Sequence, residues 1–96
     1  PRSILVRIVF QGKKEETVAK AARAGSKELE ISIDDGDEIL GPAPCVHAKL
    51  HGSYQFHSML KIMDEKRLPA ALQAVRKVKL PSTVRIKVNV DPYDFF

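Results

Sequence analysis

The only cysteine and the three histidines of the chain fall close together and could in principle do chemistry. The four residues are Cys45, His47, His51 and His57. A structural zinc site needs four convergent ligands, usually as two close pairs separated by roughly a dozen residues or more. Here all four would lie in one hairpin, and His57 falls on the strand face opposite Tyr54 and Phe56. We therefore expect loop histidines and a small half-buried thiol here, with no metal.

Catalysis by Cys45 would need an oriented histidine and a loop that binds an oxyanion, and neither is evident in the sequence. The stretch IVFQGKKEE resembles the VQG phosphate-binding turn of acylphosphatases, but that family also needs an arginine after the turn and an asparagine on the next strand. Lys13 and Lys14 follow the turn instead, and the only asparagine is Asn89. The acidic turn DDGDE lacks the spacing of a calcium loop and is expected to be solvated. We predict no catalytic residue and no enzyme activity for this chain.

The apolar pattern predicts the elements that position these side chains. Period-2 alternation predicts strands at 3–10, 53–62 and 83–90, and prolines make 38–45 an edge strand. Helical spacing predicts helices at 13–30 and 64–79, with Gly25-Ser26 as a weak point in the first and an extended piece at 31–33. In the last strand the residues expected to point inward are Val84, Ile86, Val88 and Val90.

The order of elements is β-α-β-β-α-β, which predicts an α+β, ferredoxin-like fold. In it a four-stranded antiparallel sheet carries two helices on one face, and residues 1–96 form a single domain.

Composition favours a polyanionic partner, and nothing in the sequence places the chain in or across a membrane. The 16 lysines and arginines against 12 aspartates and glutamates give a net charge of +4, a mild basic excess. No apolar run approaches the ~18 residues of a membrane-spanning helix. A single cysteine forms no internal disulfide and fits a reducing, cytoplasmic compartment.

The face of the sheet without helices is predicted to be basic. Alternation places four cations there, with three neutral polar residues beside them: Arg7, Lys61, Arg85, Lys87, Gln55, His57 and Asn89. Alternation places Tyr54 and Phe56 on the face that packs against the core, so base stacking of the kind seen in RNA-recognition motifs is not expected. The pattern instead favours salt-sensitive contact with a nucleic-acid backbone, and a plain solvated face is the alternative.

Three motifs in order carry a family resemblance: GPAP at 41–44, KLHGSYQFHSMLK at 49–61 and VRIKVNVDP at 84–92. Together they resemble the C-terminal domain of the bacterial replication-restart helicases, the primosomal protein N′ or PriA family. The opening PRSILVRIVFQG is similar to the strand that begins that domain. The resemblance covers nearly the whole chain and implies a fold like that of ribosomal protein S10.

The resemblance implies that this chain, which begins at Pro1 without an initiator methionine, is the C-terminal domain of a longer helicase. The parent would be an ATP-dependent 3′ to 5′ DNA helicase with magnesium and a zinc-binding insertion, acting at stalled forks, whereas this fragment would hold no cofactor. The implied partners are branched and single-stranded DNA, the C-terminal tail of single-stranded DNA-binding protein, other primosome proteins and the helicase core.

The resemblance also implies roles for particular residues. In the family, a basic residue near the start of the second helix takes part in the pocket for that tail, and Lys66 or Arg67 would match it. Lys49 and His51 stand in a hairpin that is arginine-rich in the family and faces DNA. The histidine substitutions imply a weaker grip on phosphate there, with some pH dependence as histidines protonate.

Two other functions remain open from the sequence. One is a protein-docking module that braces the helicase core and receives the tail. Changes at Lys66 and Arg67 would then impair its function. The other is a free-standing, S10-like RNA-binding subunit.

Overall fold

The computed structural model describes residues 3–34, 36–50 and 52–91, with the backbone alone for 46–50. The elements in chain order are β1 (Ile4–Gly12), α1 (Glu15–Ser32), β2 (Glu38–Leu50), β3 (Ser53–Ile62), a 3-10 turn (Glu65–Arg67), α2 (Leu68–Arg76) and β4 (Arg85–Asp91). The strands form one antiparallel sheet in the order β2-β3-β1-β4. The predicted β-α-β-β-α-β arrangement is confirmed. In the described part of the chain, no helix is long and apolar enough to cross a membrane.

The core lies between the sheet and the two helices, and the central strand β1 runs through the middle of it. Its alternate side chains face the helices and are buried: Ile4, Val6, Ile8 and Phe10. The helices contribute their apolar stripes, including Val18, Ala22 and Leu29 from α1 and Ala71 and Val75 from α2. Burying each of the larger apolar side chains contributes about 1.5–3 kcal/mol before the entropy of ordering is counted.

Helix α1 runs through Gly25 and Ser26, which the sequence marked as a weak point. A Cβ at Gly25 would lie 3.0 Å from both Phe10 Cε2 and Val78 Cγ1, so glycine lets the helix approach the sheet closely. The Ser26 and Ser58 hydroxyls form a buried hydrogen bond of 2.6 Å across the same contact. The two small residues are therefore packing positions and do not end the helix.

The extended piece predicted at 31–33 is wrong for Ile31 and Ser32, which belong to α1. The helix ends where the backbone N–H of Ile33 donates to the Leu29 carbonyl oxygen at 3.1 Å. Ile33 packs against the core, whereas Ile31 is exposed. The alternating isoleucines mimic a strand, although only one of them is needed for packing.

The edge strands depart from the regular pattern. β2 lies at an edge, as its prolines predicted, and its register with β3 shifts between Leu40 and Ala43 and again between Pro44 and Lys49. On the other edge, Val88 and Val90 of β4 have the helix-side parity of Ile86 but remain 38% exposed. The expectation that both are buried is wrong, because the core cluster reaches this edge only through Val84, just before β4, and Ile86, near its start.

Candidate nucleic-acid interface

The face of the sheet without helices, called the open face from here on, carries the side chains predicted for it. They are arranged in rows across three strands. Arg7 of β1 lies between Met59 of β3 and Asn89 of β4. In the next row Val9 separates His57 from Lys87, and then Gln11 separates Gln55 from Arg85. Lys61 pairs with Leu5 at the far end of β3. The sequence therefore predicted the face correctly, and the side-chain contacts decide which of its cations can reach a ligand.

Arg7 is engaged by two other residues of the open face. Its Nε donates to Nδ1 of His57 at 3.1 Å, and its terminal nitrogen lies 3.6 Å from Sγ of Cys45, which is 7% exposed. Partial burial lowers the pKa of His57, and the positive charge of Arg7 lowers it further. His57 is therefore neutral at pH 7, with Nδ1 as an acceptor, and Arg7 is held in place against it.

The same contacts bear on the four residues first considered as zinc ligands. Cys45 and His57 both contact a guanidinium group, whose charge disfavours a bound cation. The side chain of His47 and all of His51 lie outside the described residues. Within the described part of the chain, no group of three or more histidine, cysteine or acidic side chains could hold a metal ion.

Lys61 stands opposite Glu38 on the neighbouring strand β2 and forms an ion pair with it. The distance from Lys61 Nζ to Glu38 Oε1 is 4.0 Å, and the lysine side chain is 20% exposed. Such a pair adds little stability at a surface, but the carboxylate offsets the positive charge that a polyanion would meet there.

Arg85, Lys87 and Asn89 occupy alternate positions of the edge strand β4 on the open face, and all three are exposed. Among the described residues, neither Arg85 nor Lys87 has an acidic partner within ion-pair distance. Their charges are therefore available to a ligand approaching the open face from the β4 edge.

The two candidates for protein-tail binding differ sharply. Arg67 donates through Nε to Asp37 Oδ2 at 2.9 Å and also lies 2.8 Å from that oxygen through Nη2. Its Nη1 pairs with Asp34 at 3.1 Å. The hydrogen bond to Asp37 raises the pKa of the guanidinium. Lys66 is exposed, and within the described residues its ammonium has no acidic partner.

The contacts of Arg67 also correct the expectation of a solvated acidic turn. The side chain of Asp37 is only 2% exposed, and its other oxygen accepts from the backbone N–H of Met63 at 3.4 Å. Asp34 is 67% exposed and fits the expectation. Part of the turn is therefore a structural connection between β2 and the start of α2.

The predicted hairpin contacts fall mostly outside the described residues. The backbone of Lys49 lies in β2 opposite Tyr54, but its side chain and the whole of His51 are not described. Their roles in DNA binding stay predictions.

A split β-α-β-β-α-β sheet with one face covered by helices and the other basic defines a ferredoxin-like α+β domain with an exposed sheet surface. The sequence profile described as "Primosomal protein N C-terminal domain" matches residues 1–93. The chain belongs to that family.

Named relatives agree with this assignment. The chain is 32% identical to the replication restart protein PriA of Treponema pallidum over 92 residues, which covers 92% of this chain and 14% of that protein. It is 30% identical to the replication restart protein PriA of Rickettsia felis, over all of this chain and 14% of that protein. The chain thus spans about one seventh of the length of these relatives.

A solved structure supports the fold alone. The de novo designed protein Foldit4 superposes with a TM-score of 0.69 over 94% of this chain and 97% of its own, at 16% identity.

Proposed function

We propose that the chain is a DNA-binding and protein-docking C-terminal domain of a replication-restart helicase, and that it contacts nucleic acid through the β4 side of its open face. The observation that carries the proposal is the pair of exposed cations on this edge, Arg85 and Lys87, without acidic partners among the described residues. Asn89 beside them supplies a neutral hydrogen-bonding group.

The chemistry of this edge suits phosphate contact without base reading. Cations and amides bind the sugar-phosphate backbone, and this contact positions a protein without conveying sequence. The described aromatic side chains, Phe10, Tyr54 and Phe56, all have helix-side parity, so they offer no stacking platform on the open face. Binding is therefore salt-dependent and nearly independent of sequence.

The family membership supports a wider proposal for the parent protein. It would be an ATP-dependent 3′ to 5′ helicase, using magnesium and zinc, that recognises stalled or branched forks in the cytoplasm and works with other primosome proteins. In that parent, this domain would also brace the helicase core.

Fluorescence anisotropy with a labelled three-way fork and a linear duplex tests the proposal. At about 50 mM salt the 96-residue chain should bind the fork more tightly than the duplex, and affinity should fall steeply by about 200 mM. No binding to either DNA at the lower salt would contradict the proposal. An RNA fork bound better than the DNA fork would instead favour the S10-like RNA-binding alternative.

The protein-docking role is supported by the position of Lys66. It lies in the turn that leads into α2, where the Asp64 side chain accepts from its backbone N–H at 3.0 Å and fixes the local backbone. A terminal carboxylate needs a cation at a fixed point. Arg67 already serves Asp34 and Asp37, so Lys66 is the better candidate for the acidic tail of single-stranded DNA-binding protein.

The matched test of docking uses a tail peptide with a free C-terminal carboxylate and the same peptide amidated. Lys66→Ala should weaken binding of the free-acid peptide, whereas Lys77→Ala, which removes an exposed lysine beyond the other end of α2, should not. Equal binding of the two peptides would contradict a role for the carboxylate.

A further inference from the structure

A cleft opens at the end of the sheet where β1 finishes and β4 begins. Its volume is about 640 Å³, within the range of about 300–1,000 Å³ that small-molecule sites occupy. A Cβ at Gly12, which lies in this cleft, would come within 2.8 Å of Val18 Cγ2 and 2.9 Å of the Thr83 carbonyl oxygen. Glycine therefore lets the end of β1 close against α1 and the segment before β4, and this close packing shapes the cleft.

The charged lining of the cleft is of one sign. Lys13, Lys14 and Arg85 contribute to it and are exposed, and no aspartate or glutamate does among the described residues. Within that part of the chain, none of the three cations has an ion-pair partner. Glu15 and Glu16 follow in the first turn of α1, exposed and outside the lining. A ligand in the cleft would meet positive charge without having to displace a carboxylate.

The remaining polar groups of the cleft are neutral hydrogen-bond donors. Hydroxyls come from Thr17, Ser53, Ser82 and Thr83, and Gln11 adds a side-chain amide. A phosphate group carries several acceptor oxygens around one centre, and it is bound well where cations and hydroxyls converge. This combination fits a phosphate better than an apolar ligand or a metal ion.

The cleft is continuous with the open face. Gln11 and Arg85, which line it, are direct partners in the pairing of β1 with β4, and Lys87 follows two residues along the same strand. A phosphate in the cleft would therefore lie at one end of the row of exposed cations that the proposed DNA contact uses.

We propose that this cleft binds a phosphate group between Lys13, Lys14 and Arg85, supplied either by a nucleic-acid strand that runs along the open face or by a free nucleotide. The case in which a nucleic-acid strand supplies the phosphate rests on the proposed function, because the strand must first lie on the open face. In that case the cleft fixes where the strand begins or ends on the sheet.

Amide chemical shifts of the 96-residue chain test this inference at about 50 mM salt, where phosphate contacts are strong. The probes are a short 5′-phosphorylated oligothymidylate and thymidine 5′-monophosphate. Gly12 and Thr83 report on the cleft, and Asn89 reports on the open face away from it. Lys13→Ala/Lys14→Ala removes two cations from the lining. The matched control, Lys20→Ala/Lys27→Ala, removes two exposed lysines farther along α1, outside the lining.

The oligothymidylate should shift Gly12 and Thr83 in the wild type and in the control. In the Lys13→Ala/Lys14→Ala variant, the oligothymidylate concentration that gives half of the maximal shift should rise at least about tenfold. A lower midpoint for the oligothymidylate than for the mononucleotide identifies a strand as the source, and the reverse order identifies a free nucleotide. Absence of shifts at Gly12 and Thr83 with both probes, or equal losses in the two variants, would overturn the inference.

The two proposals fail in different ways. If the oligothymidylate shifts Asn89 but not Gly12 or Thr83, the open-face contact stands and the cleft inference falls. If the mononucleotide shifts Gly12 and Thr83 while no DNA shifts Asn89, the cleft inference stands for a free nucleotide and the open-face contact falls.

Discussion

The basic residues considered for binding DNA or the protein tail belong to two groups that the sequence does not separate. The engaged cations, Arg7, Lys61 and Arg67, each contact a partner within the domain. The free cations, Lys66, Arg85 and Lys87, are exposed and have no acidic partner among the described residues. The first group contributes to the fold and offers little charge to a ligand. The second contributes little to stability and leaves its charge available to a ligand.

Among the contacts of the engaged cations, the largest loss of stability should come from Asp37→Ala. This change removes a buried carboxylate that accepts from Arg67 and Met63, and the free energy of unfolding should fall by about 2–3 kcal/mol in urea titrations. Asp34→Ala is the control, because Asp34 contacts the same guanidinium but is 67% exposed. Its effect should stay within about 1 kcal/mol. Equal losses in the two variants would show that burial of Asp37 is not what makes this connection matter.

A smaller effect is expected at the Arg7 contact. Arg7→Met keeps much of the aliphatic stem but removes the donor to His57 and Cys45, and should cost about 1 kcal/mol of stability. If the hydrogen bond is responsible, the effects of Arg7→Met and His57→Ala should fall short of additivity by about 0.5 kcal/mol or more in a double-mutant cycle. Strict additivity would mean that the two side chains act independently.

The smallest effect concerns pH. The pKa of His57 is lower in the folded chain than its usual value of about 6.5, so below that value the unfolded chain binds more protons than the folded one. Stability from this residue is therefore present above about pH 6.5 and is lost as the pH falls through the lowered folded pKa. In urea unfolding at pH 7.5 and 5.5, the wild type should lose more stability on acidification than His57→Gln. A larger loss in the variant would reverse the sign assigned to this group.

The sequence predicted the order of elements and the two sheet faces because both follow from local periodicity. Arg85 and Lys87 were placed on the correct face by alternation alone. The partners of Arg7, Lys61 and Arg67 were not predictable in this way, since they lie 23 or more residues away and depend on register and loop geometry. The acidic turn looked solvated for the same reason, because Asp37 is buried at a contact with Arg67, which lies 30 residues farther along the chain.

The course of α1 through Gly25 and the exposure of two valines of β4 also depend on packing that a local pattern does not reveal. Gly25 and Ser26 have weak helical propensity, but tight packing against Phe10 and Ser58 overrides it. Val88 and Val90 alternate correctly, yet alternation does not say whether the helices extend over the end of an edge strand. The cleft was missed because Lys13 and Lys14 come to line the same cleft as Arg85 only once β4 has paired with β1.

The distinction between free and engaged cations is tested most directly by removing two charges from each group on the same face. Arg85→Gln/Lys87→Gln and Arg7→Gln/Lys61→Gln lose equal charge, and fork affinity is measured for both between about 50 and 200 mM salt, with folding checked by urea unfolding. Each lost phosphate contact lowers the slope of log affinity against log salt by about 0.9, so the fall in affinity over this range should be roughly tenfold smaller for the free-cation variant. The engaged-cation variant should keep a slope close to that of the wild type. An equal or larger loss of slope in the engaged-cation variant would contradict the account.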